Sequence, residues 1–445
     1  MATEKENKRP LAGIRILDFS WSVAGPTMTR YLASLGAEVI KVEWPEHPDP
    51  MRSAMFLRDE TNKTLNNGTF FANLNVGKRS LTLNARSTRG IRVIRDLVRK
   101  CDVLTESFSP AVLEKWGLGF EQLKALNPGI IYASISGFGH TGPHKDKGTW
   151  GPTAQAIGGM TFMSGVPGCQ PAGWGWSYLD VASGYFGAIG VLAALHERRR
   201  TGEGTRLDLS QVEVGISLIG PAMLDHAVNG RSFVGQTVVP GGNRSVAPNG
   251  QVVGYRGDEG APSGVYPTLG GGPNDYCAIS VLDDRQWQGL KSAIGGGTWA
   301  DEARFDKTHD RITAQDEIDG HLVEWTMTKE KYEVMRLLQA HGVPASAVQC
   351  PRDLAEHDPQ IGARGLHVTL EHPRLGRQRF EGMPFRMSGT PLDPTPQWPI
   401  LGQDNDYVLR DVLGYSQEEI GSLASENVTW PKNVPTEPRV ERSLW

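Results

Sequence analysis

The residue type and spacing most suggestive of chemistry is a single acid, Asp180, with Gly184 four positions on and the aromatic run Trp174, Trp176 and Tyr178 just before it. A long apolar helix is expected to begin here, because Val181, Tyr185, Ala188, Ile189, Leu192 and Leu195 recur at helical spacing. Arg198, Arg199 and Arg200 suit its last turn and Gly202 its stop. A carboxylate at a helix start has two readings. It can cap the free amides of the first turn. It can also be a nucleophile, since the helix N-terminus keeps it ionised. Position alone leaves both open.

Other reactive types are weaker pointers. His140 and His144 flank the glycine loop GFGHTGP, but the segment is not helical and offers no third ligand, so pocket lining is expected rather than a metal site. Arg86, Lys145 and Lys147 fall in loops and Lys115 in a short helix, and each is either a phosphate partner or a solvated charge. The four cysteines are far apart and form no CxxC pair, which fits free thiols in a reducing cytosol.

The elements that must position these groups read as strand–helix alternation. Residues 13–19 (GIRILDF) form a strand, 20–26 a turn with Pro26 in the first turn of the next helix, and 37–43 a second strand. Strands follow at 80–85, 101–107, 129–136 and 206–209, with helices at 88–100, 110–116 and 120–126 and a connecting helix at 212–228. This pattern predicts an α/β fold, a doubly wound, Rossmann-like large domain. Ligands of such sheets bind beyond the carboxyl ends of the strands, so loops 20–26, 84–86, 107–110 and 137–147 carry the interest. The first turn lacks GxGxxG, so no dinucleotide is implied. A smaller α+β domain is expected at 229–341, within a layout of 8–228, 229–341 and 342–445. Residues 342–348 (GVPASAV) read as a strand that returns to the large domain, and 52–69 as a surface loop.

At 445 residues the chain exceeds one core of ordinary size. A net charge of -4 argues against nucleic acid as the main partner. No basic region precedes an apolar run at the N-terminus, and the apolar stretch 188–195 is short for a membrane span, so a cytoplasmic protein without membrane partners is expected.

With these residues in view, the chain resembles the class III CoA-transferases, the formyl-CoA, carnitine and bile-acid (CaiB/BaiF) family. The likeness is carried by LAGIRILDFS…AGP, LGAEVIKVE, NVGKRSLTLN, CDVLTESFSP, NPGIIYASISGFG, the Asp180 segment with ALHERRRTGEGTRLDLS, HGVPASAV and GMPFRMSGTP, in that order over nearly the whole length. The resemblance implies that Asp180 is the catalytic aspartate, passing through mixed anhydrides and an aspartyl-CoA thioester, with CoA thioesters and carboxylic acids as substrates and no permanently bound metal or redox cofactor. It places CoA against Ser22, Val23 and Ala24, against Leu83 and Arg86, and against Ser107, Phe108 and Lys115, with Lys147 as a further phosphate partner. Ser107, Trp44 and Gly148 depart from the formyl-CoA branch, which has asparagine, arginine and lysine there. The family's glycine lid falls at 270–272 or near Gly241 and Gly242. The family also implies an interlocked homodimer, or a hetero-oligomer with a homologue. Crowded tryptophans before Asp180 suggest a bulky or aromatic acceptor acid, with succinyl-CoA as a plausible donor. Two rivals are an acyl-CoA racemase of the same fold and a non-catalytic CoA-binding subunit.

Overall fold

The alternation expected from the sequence is present. In chain order the elements are β1 (Arg15–Asp18), α1 (Ala24–Ser34), β2 (Glu38–Glu43), α2 (Thr69–Asn75), β3 (Lys78–Thr82), α3 (Thr88–Val98), β4 (Val103–Glu106), α4 (Val112–Lys115), α5 (Phe120–Leu126) and β5 (Ile131–Ser136). There follow α6 (Gly151–Ile157), α7 (Met160–Met163), α8 (Tyr178–Thr201), β6 (Arg206–Ser210), α9 (Gln211–Leu218) and α10 (Gly220–Asn229). The rest comprises β7 (Arg244–Val246), β8 (Val252–Tyr255), β9 (Ser263–Pro267), β10 (Tyr276–Ser280), α11 (Asp284–Ile294), α12 (Thr308–Thr313), α13 (Gln315–Thr326), α14 (Lys331–Ala340), β11 (Ala345–Ala347), α15 (Pro359–Arg364), β12 (His367–His372), β13 (Gly376–Glu381) and α16 (Gln417–Ser425). The computed structural model describes residues 9–53, 64–164, 173, 175, 177–230, 244–246, 252–255 and 260–430.

Six strands form an all-parallel sheet in the order β3-β2-β1-β4-β5-β6. Successive residues of a strand face opposite sides, and both sides are covered. Ile16, Val39, Val103 and Ile131 point to one face and pack with Met28 and Leu32 of α1 and Val191 and Leu195 of α8. Leu17, Ile40, Leu81 and Leu104 point to the other and pack with Ile94 and Leu97 of α3 and with Val408, Leu409 and Leu423 near the C-terminal end. The chain steps outward from β1 to β2 and β3, then restarts on the far side of β1 with β4. Loops leaving β1 and β4 therefore part in opposite directions, and a crevice opens between their carboxyl ends.

Helix α8 lies against α1 through glycines. A Cβ on Gly184 would come 2.6 Å from the Thr27 Cβ and 2.8 Å from the Ala24 carbonyl oxygen, and one on Gly187 would come 2.7 Å from the Met28 sulfur. Small residues thus let the two backbones approach. Contrary to the expectation from 188–195, α8 is long and apolar enough to cross a membrane by length and composition. Its buried side, with Leu179, Ala188, Val191, Ala194 and Leu195, packs in the α/β core instead.

The chain divides into two compact units: one takes residues up to Gly158, Gly175–Gly215 and Ile361 onward, the other Gly159–Trp174 and Ile216–Gln360. In the second unit an antiparallel sheet, β11-β10-β9-β8-β7, packs beside α11, α13 and α14 around Trp287, Phe305, Ile318, Leu322 and Leu338. Two expectations are corrected. The GVPASAV strand, β11, pairs antiparallel with β10 (Cys277↔Ala347), so it completes the second unit's sheet rather than returning to the first. The stretch after Arg52 is not all surface loop. Arg52, Thr64, Leu65 and Asn66 are buried, because the Arg52 guanidinium forks onto Glu43, stacks 3.8 Å from the Phe71 ring centroid and donates to the carbonyl of Leu65.

Candidate active site

Asp180 occupies the third position of α8, not its cap. Ser177 is the capping residue, and neither side chain closes an N-cap bond. The carboxylate turns instead toward the carboxyl edge of β6, where the Gln211 amide Nε2 donates to Asp180 Oδ1 at 2.5 Å. The other oxygen, Oδ2, backs onto Gly151 at the start of α6, where any Cβ would meet it at 2.6 Å. Glycine at 151 is therefore a steric condition for the carboxylate's position. Burial pushes the Asp180 carboxyl above its ordinary value, and hydrogen bonds from Gln211 and Ser177 oppose this. A carboxylate held by neutral donors retains its basicity and its nucleophilic lone pairs.

The turn after β1 is pinned from below. Asp18 accepts from the backbone N–H of Ser20 and from the hydroxyls of Ser20, Thr29 and Thr105, with Lys78 Nζ 3.4 Å away. Lys41 Nζ donates to the Ser20 carbonyl at 2.7 Å and pairs with Asp49, whose other oxygen accepts from the Ser22 N–H. Five of these groups, Asp18, Ser20, Lys41, Asp49 and Lys78, are buried. Such a network is stable only when fully connected, and it holds the turn in one conformation. Ser22 accordingly sits at φ 62°, a left-handed backbone that a non-glycine residue rarely adopts.

This turn and Asp180 are brought together. Val23 packs with Met51, Phe71, Leu74 and Val181, the residue after Asp180, and Ala24 presents its carbonyl to Gly184. On the other side the turn meets the loop after β4. The Trp21 N–H donates to Ser107 Oγ at 3.0 Å, and the Trp21 and Phe108 rings meet edge to face at 5.4 Å. Ser22, Val23, Ala24, Ser107 and Phe108 therefore flank the crevice where the strand order reverses.

The remaining sequence candidates are placed less closely. Arg86 and Lys147 are exposed on loops after β3 and β5, and Lys115 is exposed on α4 beyond β4. Leu83 is buried in the core cluster against which Phe108 packs, and its N–H donates to the Glu43 carbonyl, so its side chain is structural packing. His140 does not line an open pocket: its side chain is buried beside Glu106, Nε2 to Oε1 3.5 Å, and burial pulls its pKa down. Glu106 accepts from the Phe108 N–H and the Tyr132 hydroxyl, and burial pushes it up to about 7. Trp174, Trp176, Gly241 and Gly242 lie outside the described residues. Gly270 and Gly271 have positive φ in a turn whose next N–H, that of Gly272, donates to Asp275, a local reason for glycine there. Among the described residues no cluster of three metal-ligating side chains occurs.

Gln211, Gly151 and Trp21 escaped the sequence reading. Gln211 follows the last strand directly, so the rule that ligands gather at the carboxyl ends of strands could have flagged it.

A parallel sheet with helices on both faces and a half-buried carboxylate at its carboxyl edge defines an α/β protein with a candidate site at that edge. Residues 11–405 match CoA-transferase family III, and the chain belongs to that family; it is a class III CoA-transferase. It is 33% identical over 426 residues to a formyl-CoA:oxalate CoA-transferase of Bradyrhizobium sp., covering 93% of this chain and 96% of that one. It is 32% identical over 422 residues to a succinyl-CoA–D-citramalate CoA-transferase of Chloroflexus aurantiacus, covering 94% and 98%. Among solved structures it resembles a CaiB/BaiF family protein from Brucella suis (TM-score 0.78, 28% identity, 91% of this chain and 99% of that one). It also resembles Rv3272 from M. tuberculosis (TM-score 0.73, 26% identity, 90% and 99%).

Proposed function

We propose that Asp180 is the nucleophile that carries CoA from a donor thioester to an acceptor acid. The observation that carries this reading is the carboxylate itself, half-buried at the carboxyl edge of the sheet and, among the described residues, held by the neutral donors Gln211 and Ser177. Asp180 attacks the donor thioester and expels CoA thiolate, leaving a mixed anhydride. The thiolate attacks the aspartyl carbonyl and expels the donor acid, leaving aspartyl-CoA. The acceptor carboxylate displaces the thiolate to form a second anhydride, and the thiolate then attacks the acceptor carbonyl and frees Asp180. The route calls on no metal or redox group.

Ser22, Val23 and Ala24 bring backbone to the pantetheine, Ser107 and Phe108 line the nucleotide end, and Arg86, Lys115 and Lys147 supply charge for phosphates. Leu83 contributes backbone. Exclusion of water from the site would protect the two hydrolysable intermediates.

The acceptor is read as a bulky or aromatic acid and the donor as succinyl-CoA. Trp150 supports the first: it is 56% exposed and covalently adjacent to Gly151, which abuts Asp180. The names of the relatives favour a second reading, a small acid such as oxalate or a succinyl-CoA-dependent hydroxy diacid. A dimer is supported by apolar side chains left in solvent on α8 (Tyr185, Phe186, Ile189) and on α10 (Met223, Leu224, Val228). Incubation with succinyl-CoA, formyl-CoA or acetyl-CoA and a panel of acids, with new CoA esters read by mass spectrometry, tests the substrate. Arylsuccinates or aromatic acids are the expected acceptors, and oxalate as the best acid would overturn that choice.

A further inference from the structure

We infer that Gln211 is a catalytic residue of the transfer, the hydrogen-bond donor that holds the oxyanion formed on Asp180. The inference rests on Asp180 being the nucleophile. Its own observation is the contact from Gln211 Nε2 to Asp180 Oδ1, made by two buried or half-buried groups 31 positions apart, at the ends of different crossovers. The amide must present its N–H, because a carboxylate oxygen only accepts.

The contact sorts the two oxygens. Oδ1 is the one held, so Oδ2 forms the bond to the donor acyl carbon. In the anhydride Oδ1 is the carbonyl oxygen of Asp180. When CoA thiolate attacks Asp180 Cγ, the C–S bond forms, the π electrons move onto Oδ1, and Gln211 N–H faces the developing charge. Collapse restores the carbonyl and breaks the Cγ–Oδ2 bond, releasing the donor acid with what was Oδ2. Attack by the acceptor carboxylate on the aspartyl-CoA places charge on Oδ1 a second time, and collapse expels the thiolate. Gln211 thus serves both steps at Cγ and neither gives nor takes a proton. It is already in place before reaction, on the first residue of α9, directly after the last residue of β6.

The geometry around Gly151 gives the same order of priority. Gly151 faces Oδ2 without a side chain and so leaves beside that oxygen the space a Cβ would fill.

The test is single-turnover formation of the aspartyl-CoA thioester, followed by quench and peptide mass spectrometry, in the wild type, Gln211→Ala and Gln211→Glu. Labelling of Asp180 in the wild type with acyl-CoA is the control for the nucleophile itself. If that label never forms, the nucleophile reading fails and Gln211 falls with it. With the label present, Gln211→Ala is expected to slow thioester formation and kcat by about 10²- to 10³-fold, with the KM for acyl-CoA nearly unchanged. Gln211→Glu keeps the side-chain volume and is read if the alanine variant does not fold. A second carboxylate beside Asp180 should also move the acidic limb of the kcat profile to higher pH. Both variants forming thioester at the wild-type rate, with Asp180 still labelled, would overturn the assignment.

Discussion

Gly184 and Thr27 leave no space for a methyl group between α8 and α1: a Cβ at 184 would lie 2.6 Å from the Thr27 Cβ. The glycine one turn beyond Asp180 is therefore a packing residue, and it sets how close the helix that carries Asp180 comes to the turn at Ser22–Ala24. Gly184→Ala should cost about 1–3 kcal/mol of stability by overpacking. Thr27→Ala in the same chain should restore part of it, because the Ala24 carbonyl at 2.8 Å remains in the way. Denaturant unfolding of the two single variants and the double variant gives the coupling, and strict additivity would contradict the contact.

Loss of the nucleophile should be selective. Asp180→Ala is expected to lower kcat on the order of 10⁴-fold or more while circular dichroism and CoA affinity stay near wild type. Hydroxylamine or borohydride should modify Asp180 only when an acyl-CoA is present. Full turnover by the variant would refute the proposed route.

The Glu106 carboxyl gives a pH signature in stability. Burial lifts it from an ordinary 4.5 to about 7. Between those values the folded chain holds a proton that the unfolded chain has lost, so this group's contribution to stability falls as pH rises from 4.5 through 7 and is fully lost above. Glu106→Gln removes the titration. Between pH 4 and pH 8 the stability of the variant relative to wild type should improve by about 3 kcal/mol. Parallel stability–pH curves for the two proteins would show that Glu106 does not titrate there.

Trp150 separates the two acceptor readings. With a bulky acid bound against the indole, Trp150→Ala should raise the acceptor KM about tenfold or more with the melting temperature held, since the ring is exposed in the free chain. An unchanged KM together with turnover of oxalate would favour the small-acid reading.

The apolar surface of α8 predicts association. Sedimentation at low concentration should give a dimer mass for the wild type, and Ile189→Lys, at a position 62% exposed, should weaken it. A wild-type monomer at micromolar concentration would sink the prediction.

What the amino-acid sequence determined by itself was local and periodic. Short apolar runs marked β1, β2, β4 and β5, and helical spacing with Arg198–Arg200 and Gly202 marked α8 and its end. Those elements, in that order, imply a parallel sheet and direct attention to its carboxyl-edge loops, where Asp180, Ser22 and Phe108 lie. Tertiary structure decided which of these groups meet. Nothing in the spacing joins Gln211 to Asp180 or Trp21 to Ser107, because each pair is closed by intervening helices and strands that bring distant residues together only once the sheet is assembled. The same holds for β11, whose short ASA run carries no sign of its partner until β10 supplies the hydrogen bonds. Periodicity records which side of an element is buried; the partner that buries it is chosen by packing, and packing alone turned an acid at a helix start from a possible cap into a carboxylate held by an amide.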